Sequence, residues 1–125
     1  MRLRILDTTL AVCRLDGDAP LPAWFALDAP AACAMRRDGE LSLVCRDALV
    51  PAEGVTAERP WRALEVAGPL DFSLTGILAS LATTLAEAEV SIFALSTYDT
   101  DVILVREAQL DAAVSALRGA GHDVG

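Results

Sequence analysis

Two stretches decide the reading of this chain: Gly68-Pro69-Leu70-Asp71-Phe72-Ser73-Leu74-Thr75-Gly76-Ile77-Leu78-Ala79-Ser80-Leu81, and Val90-Ser91-Ile92-Phe93-Ala94-Leu95-Ser96-Thr97-Tyr98-Asp99-Thr100-Asp101-Val102-Ile103-Leu104-Val105. In the first, residues 68–71 have loop chemistry. Ser73 or Thr75 is placed to cap a helix running to about Glu89. Ile77, Leu78, Leu81 and Leu85 recur at helical spacing, with Thr83, Thr84 and Glu87 on the opposite side. In the second, residues 90–97 carry apolar side chains for both faces, the pattern of a strand in the middle of a covered sheet. Tyr98-Asp99-Thr100 then makes a tight turn, and residues 102–105 return as a strand.

Ahead of the helix, residues 61–66 read as a strand. Beyond the hairpin, Leu110, Val114 and Leu117 mark a second amphipathic helix. Gly119 and Gly121 end it, and His122-Asp123-Val124 is long enough for a short last strand. The order from Trp61 is βαββαβ, the ferredoxin-like split unit of an α+β fold, with both helices expected on one face of an antiparallel sheet.

The first half is less regular. Residues 3–15 are β-rich, Asp16-Gly17-Asp18-Ala19-Pro20 is a turn by residue type, and residues 21–27 suit a short helix or turn closed by Pro30. Residues 32–35 and 40–45 suit two strands around Arg37-Asp38-Gly39. Residues 47–60, broken by Pro51, Gly54 and Pro60, are the expected boundary between two lobes. Arg37-Asp38-Gly39-Glu40-Leu41-Ser42-Leu43-Val44 also lines up with residues 98–105, as turn, acid and strand. That match is either a chance likeness of two hairpins or a sign that the first half is a reduced copy of the second.

Composition bounds the function. The 125 residues are 54% hydrophobic but only 5% aromatic, so one core of Leu, Val, Ile and Ala is expected. Net charge is −8, every basic residue is Arg, and only Arg36 and Arg37 are adjacent. A phosphate backbone or an anionic membrane needs a basic stripe, so neither is an expected partner. No apolar run approaches the ~20 residues of a membrane span, and residues 1–5 lack the core of a signal peptide. A cytoplasmic setting is expected, with Cys13, Cys33 and Cys45 as reduced core thiols. The cysteines lie far apart and His122 is the only histidine, which argues against a metal site. Catalytic patterns are equally thin. Ser96 has no histidine near it, and no glycine-rich phosphate loop occurs. No enzyme activity and no cofactor are expected.

Some side chains do suggest ligand binding. Gly76, at a strand-to-helix junction, lets a ligand approach main chain. A helix start offers N–H groups and a positive dipole end to a carboxylate. Asp71, Asp99 and Asp101 suit an ammonium or guanidinium, although Asp99 suits a turn former better, and Asp71 equally suits a residue beside the helix start.

The two opening stretches together resemble the ACT domain. The second is similar to the matching segment of the CASTOR-type arginine sensors and their small bacterial relatives. The resemblance covers residues 61–125 well and residues 1–60 loosely. It implies tandem ACT lobes: a reduced first lobe over 1–60 and a full ACT domain over 61–125. It also implies an amino acid, arginine or another basic one, bound at a lobe or dimer interface. Carried over by position, Asp71, Thr75, Gly76 and Ile77 would stand beside the ligand. Ser91 and Ile92 would offer main-chain groups to it, Thr97 and Tyr98 would line the side-chain pocket, and Asp101 would face a cationic group. The function expected is an amino-acid-binding regulator or sensor, homodimeric, whose output is contact with another protein. The alternative is a structural or protein-interaction module with a vestigial ligand site.

Overall fold

The computed structural model describes residues 1–68, 70–71 and 75–125. The elements run β1 (Arg2–Ile5), β2 (Leu10–Leu15), β3 (Cys33–Arg37), β4 (Glu40–Arg46), β5 (Thr56–Val66), α1 (Ile77–Glu87), β6 (Ile92–Ser96), β7 (Asp101–Arg106), α2 (Leu110–Gly119) and β8 (Asp123–Val124). They form two compact units: Met1–Asp7 with Arg62–Gly125, and Thr8–Trp61. Strand β5 gives residues 56–61 to the second and residues 62–66 to the first.

The first unit has the expected βαββαβ order in β5, α1, β6, β7, α2 and β8. Leu81 and Leu85 of α1 and Ala113, Val114 and Leu117 of α2 share one buried cluster with Leu64, Val66, Ile103 and Val105. Alternate residues of a strand face the same side, so both helices cover one face of the sheet. Burying side chains of this kind contributes about 1.5–3 kcal/mol each before conformational entropy is subtracted.

Several local expectations are corrected. The sheet is mixed rather than antiparallel throughout. Strand β1 lies between β5 and β8, antiparallel to the first (Leu3↔Val66, Ile5↔Leu64) and parallel to the second (Arg2↔Asp123). Its side chains fit that place, with Leu3 fully buried and Arg2 and Arg4 exposed. Strand β6 is not the covered middle strand. Among the described residues it pairs with β7 alone and is half-buried to exposed, whereas residues 102–105 of β7 are all buried. Helix α1 takes no cap from Thr75: its N-cap is Gly76 at φ 81, and Ser73 lies outside the described residues. The helix stops at Glu87, two residues short of the expected end, and Glu89 at φ 60 takes the left-handed position that closes many helices.

The second unit is a β-structure with β3, β4, β2 and β5 in spatial order. Leu10 pairs with Arg46 and Leu15 with Leu41 across β2 and β4, and the β3–β4 hairpin turns at Asp38-Gly39. Strand β5 begins at Thr56, inside the stretch expected to be a boundary. Pro60 is tolerated because the register against β2 slips there: Leu10 faces Trp61 and Val12 faces Glu58. Ala11, Cys13, Leu41, Leu43, Cys45 and Val50 form the core, with Trp24 and Phe25 packed against it from turns rather than a helix. Arginines tie those turns down. Arg46 grips both oxygens of Asp28 (3.1 and 2.6 Å), and Arg36 donates to the carbonyls of Gly17 and Ala19.

Candidate functional site

In the first unit a cleft of about 270 Å³ opens between the start of α1 and the tip of the β6–β7 hairpin. Its lining runs over Leu70 and Asp71, residues 76–79, and residues 96–101. The turn of the hairpin is held from within. Thr97 N–H donates to the carbonyl of Thr100 at 2.8 Å, and Thr97 Oγ1 lies 3.1 Å from both the Thr100 carbonyl and the Thr100 amide nitrogen. The turn is also tied to the segment leaving β5: Leu70 N–H donates to the Asp99 carbonyl at 2.7 Å, and Thr100 Oγ1 donates to the Val66 carbonyl at 2.7 Å. Gly68 sits in this joint. A Cβ there would stand 3.2 Å from the Asp99 oxygen and 3.3 Å from the Thr100 Cβ, tight enough that the turn would have to give by a few tenths of an ångström.

The other wall is the helix start. Gly76 accepts the first helical hydrogen bond, from Ser80 N–H at 2.9 Å. The amides of Ile77, Leu78 and Ala79, all in the lining, stand ahead of any intrahelical acceptor. They place the positive end of the helix dipole on the cleft. Facing them are Asp71, Asp99 and Asp101, and the described lining contains no basic side chain. Asp101 is half-buried and accepts the Ser96 hydroxyl on Oδ1 at 2.7 Å. Such a cleft can hold an anionic group at the helix start and a cationic group at the carboxylates together, as a zwitterion requires.

Of the residues expected at a site, Asp71, Gly76, Ile77, Thr97, Tyr98 and Asp101 line this cleft together. Thr75 precedes the helix start in sequence and is not in the described lining. Ile92 starts β6 at its far end, about 13 Å along the strand from Ser96 at the usual rise per residue, and Ser91 just precedes it. Ile92 pairs with Val105 and Ser96 with Asp101, so the two ends of β6 face different neighbours. The Thr97 hydroxyl is engaged in the turn rather than turned to a ligand. Ser96, Leu78 and Ala79 also line the cleft. A sequence signal for Ser96 existed in its place three residues before the Asp99-Thr100 turn, directly across the hairpin from Asp101. Among the described residues no group of three His, Cys, Asp or Glu could hold a metal ion, and no helix is long and apolar enough to cross a membrane.

Known proteins share this architecture. The Agobacterium tumefaciens protein Atu0741 superposes with a TM-score of 0.89 at 33% identity, covering 99% of this chain and 91% of that one. A Vibrio cholerae protein, VC0802, gives a TM-score of 0.76 at 19% identity, over 94% and 88% of the two chains. The regulatory subunit of aspartate kinase from Thermus flavus gives 0.63 at 14% identity, over 92% and 94%. At those two identities the likeness is one of fold. The bovine protein named cytosolic arginine sensor for mTORC1 subunit 1 is 40% identical over 75 residues, which is 55% of this chain and 23% of that protein. This chain therefore spans about a quarter of that relative's length. The family model described as ACT domain matches residues 56–119, the part that holds the cleft. By that match and by its α+β fold, the chain belongs to the ACT-domain family.

Proposed function

We propose that this chain is a non-catalytic regulatory protein that binds an amino acid in the first-unit cleft and passes that signal on by contact with another protein. The observation that carries the reading is the opposition, across one cleft, of helix-start amides and Asp71, Asp99 and Asp101. A ligand α-carboxylate suits the amides of residues 77–79, and a cationic side chain suits Asp101. A basic amino acid fits this best, and the similarity to a protein named for arginine sensing supports arginine among the candidates. Thr75, Ser91 and Ile92 belong to the proposal as residues a partner copy or a bound ligand would bring into use. The setting proposed is cytoplasmic, and the assembly proposed is a homodimer, since strand β6 leaves one edge unpaired among the described residues.

The arrangement proposed is tandem, with residues 1–60 a reduced ACT lobe and 61–125 a full one. Two local parallels support it. Each hairpin runs through an arginine at extended ψ, Arg46 (130°) or Arg106 (139°), into a single 3₁₀ turn, Asp47–Leu49 or Glu107–Gln109. In each unit a glycine two residues beyond a strand is packed on the hairpin turn: Gly17 against Gly39 and Glu40, Gly68 against Asp99 and Thr100.

Calorimetric titration with arginine, lysine, leucine and glycine tests the reading. A basic ligand should bind wild type, and Asp101→Ala should weaken it by about 1.5–3 kcal/mol, the range of a hydrogen bond to a charged group. The same change should leave a neutral ligand nearly untouched. If none of the four binds at millimolar concentration, the protein is better read as an interaction module whose site is vestigial.

A further inference from the structure

We infer that Ser96 is a positioning residue for the ligand's cationic group, acting with Asp101 as one acceptor unit. This rests on the amino-acid-binding reading above and assigns a role to a side chain outside the set expected from sequence. The Ser96, Thr97 and Thr100 hydroxyls at this end of the hairpin have distinct tasks. Thr97 Oγ1 is committed to the Thr100 main chain, and Thr100 Oγ1 to the Val66 carbonyl. Ser96 Oγ donates to a carboxylate of the cleft, at 2.7 Å from Asp101 Oδ1. The two residues are direct cross-strand partners, the last of β6 and the first of β7, so the backbone ladder fixes their approach.

The donor direction decides the chemistry. An ionised carboxylate can only accept, so the shared proton is the hydroxyl's. Donating it leaves the Ser96 oxygen with its lone pairs and strengthens their acceptor character. Among the described residues, Asp101 Oδ2 has no donor paired to it. Both residues line the cleft. Ser96 Oγ and Asp101 Oδ2 therefore stand side by side as two acceptors for N–H groups of one cation, and the hydroxyl also limits the Asp101 side chain to one orientation. Holding that side chain in place before binding removes part of the ordering cost of capture.

The test compares Ser96→Ala, Ser96→Thr, Asp101→Ala and the double variant Ser96→Ala/Asp101→Ala by calorimetry with arginine, lysine and leucine. Ser96→Ala should weaken arginine or lysine roughly three- to tenfold, the worth of one hydrogen bond, and leave leucine unchanged. Ser96→Thr, which keeps the hydroxyl, should restore binding. In the Asp101→Ala background the serine change should have less than about a twofold further effect, because coupled neighbours are non-additive. Equal binding of basic ligands by wild type and Ser96→Ala overturns the inference and leaves the binding reading standing. So does a loss shared equally by leucine, which would mark a structural role. If wild type binds none of the three, the reading under Proposed function falls. The positioning is then decided by side-chain scalar couplings of Asp101 in solution: one χ1 rotamer in wild type and averaging in Ser96→Ala support it, and identical couplings refute it.

Discussion

Thr100 Oγ1 donates to the main-chain carbonyl of Val66 across 2.7 Å, joining the tip of the β6–β7 hairpin to the end of β5. Val66 is fully buried, so its carbonyl has poor access to water if the hydroxyl is lost. Thr100→Val keeps the shape and removes the donor. Unfolding in urea should show it less stable than wild type by about 1–3 kcal/mol, the cost of an orphaned buried acceptor. Thr100→Ser should recover most of the loss. A Thr100→Val protein as stable as wild type would mean that water reaches Val66 and the joint is ornamental.

How far this was legible in the sequence follows from the range of the forces involved. Helix α1 was legible because Ile77, Leu81 and Leu85 report their own periodicity, and two of the three are fully buried. Strand β6 was misplaced because Ile92, Phe93 and Leu95 are apolar on both faces, yet an edge position depends on which strand lies beyond, and that is non-local. The insertion of β1 between β5 and β8 joins residues far apart in sequence, and nothing near Leu3 announces it. Strand β5 was cut short at Trp61 because Glu58 and Pro60 argue locally against a strand, while a register slip against β2 accommodates them. At the cleft, Asp71, Gly76, Tyr98 and Asp101 were reached through short contiguous motifs. The sequence around Ser96 does not show its pairing with Asp101, since that hydrogen bond appears only once the hairpin is paired in register.

Two glycines should respond to alanine with opposite signs. Gly76 begins α1 at φ 81, in the left-handed region, and a Cβ there would meet no atom within 4 Å. Any loss in Gly76→Ala is therefore backbone strain, about 1–2 kcal/mol. Gly119 closes α2, and a Cβ there also meets nothing within 4 Å. Gly119→Ala should stabilise by up to about 0.5–1 kcal/mol, because alanine loses less chain entropy in a helix. Denaturation midpoints that moved in the same direction for both would contradict this account of the α1 start.

The buried thiol pair predicts how stability depends on alkaline pH. Cys13 is 1% exposed in the core of the second unit, where burial, with Cys45 beside it, pushes its thiol up from 9.0 to about 11. Below pH 9 the folded and unfolded states both keep the proton, so the group adds no pH dependence. Between 9 and about 11 the unfolded chain releases it while the folded chain still holds it, so rising pH draws the equilibrium towards unfolding. Burial also raises the Cys33 and Cys45 thiols, so they act in the same sense. Urea unfolding of wild type should therefore lose stability steadily over this range. Cys13→Ala removes one titrating group and leaves Tyr98 and the arginines in place. At pH 8 wild type should be the more stable, because the smaller side chain packs less well. The gap between the two proteins should narrow as the pH rises from 9 towards 10.5. A gap that stays constant over that interval would show that Cys13 releases its proton equally readily in both states, and that the thiol is reached by water through the turns carrying Trp24 and Phe25.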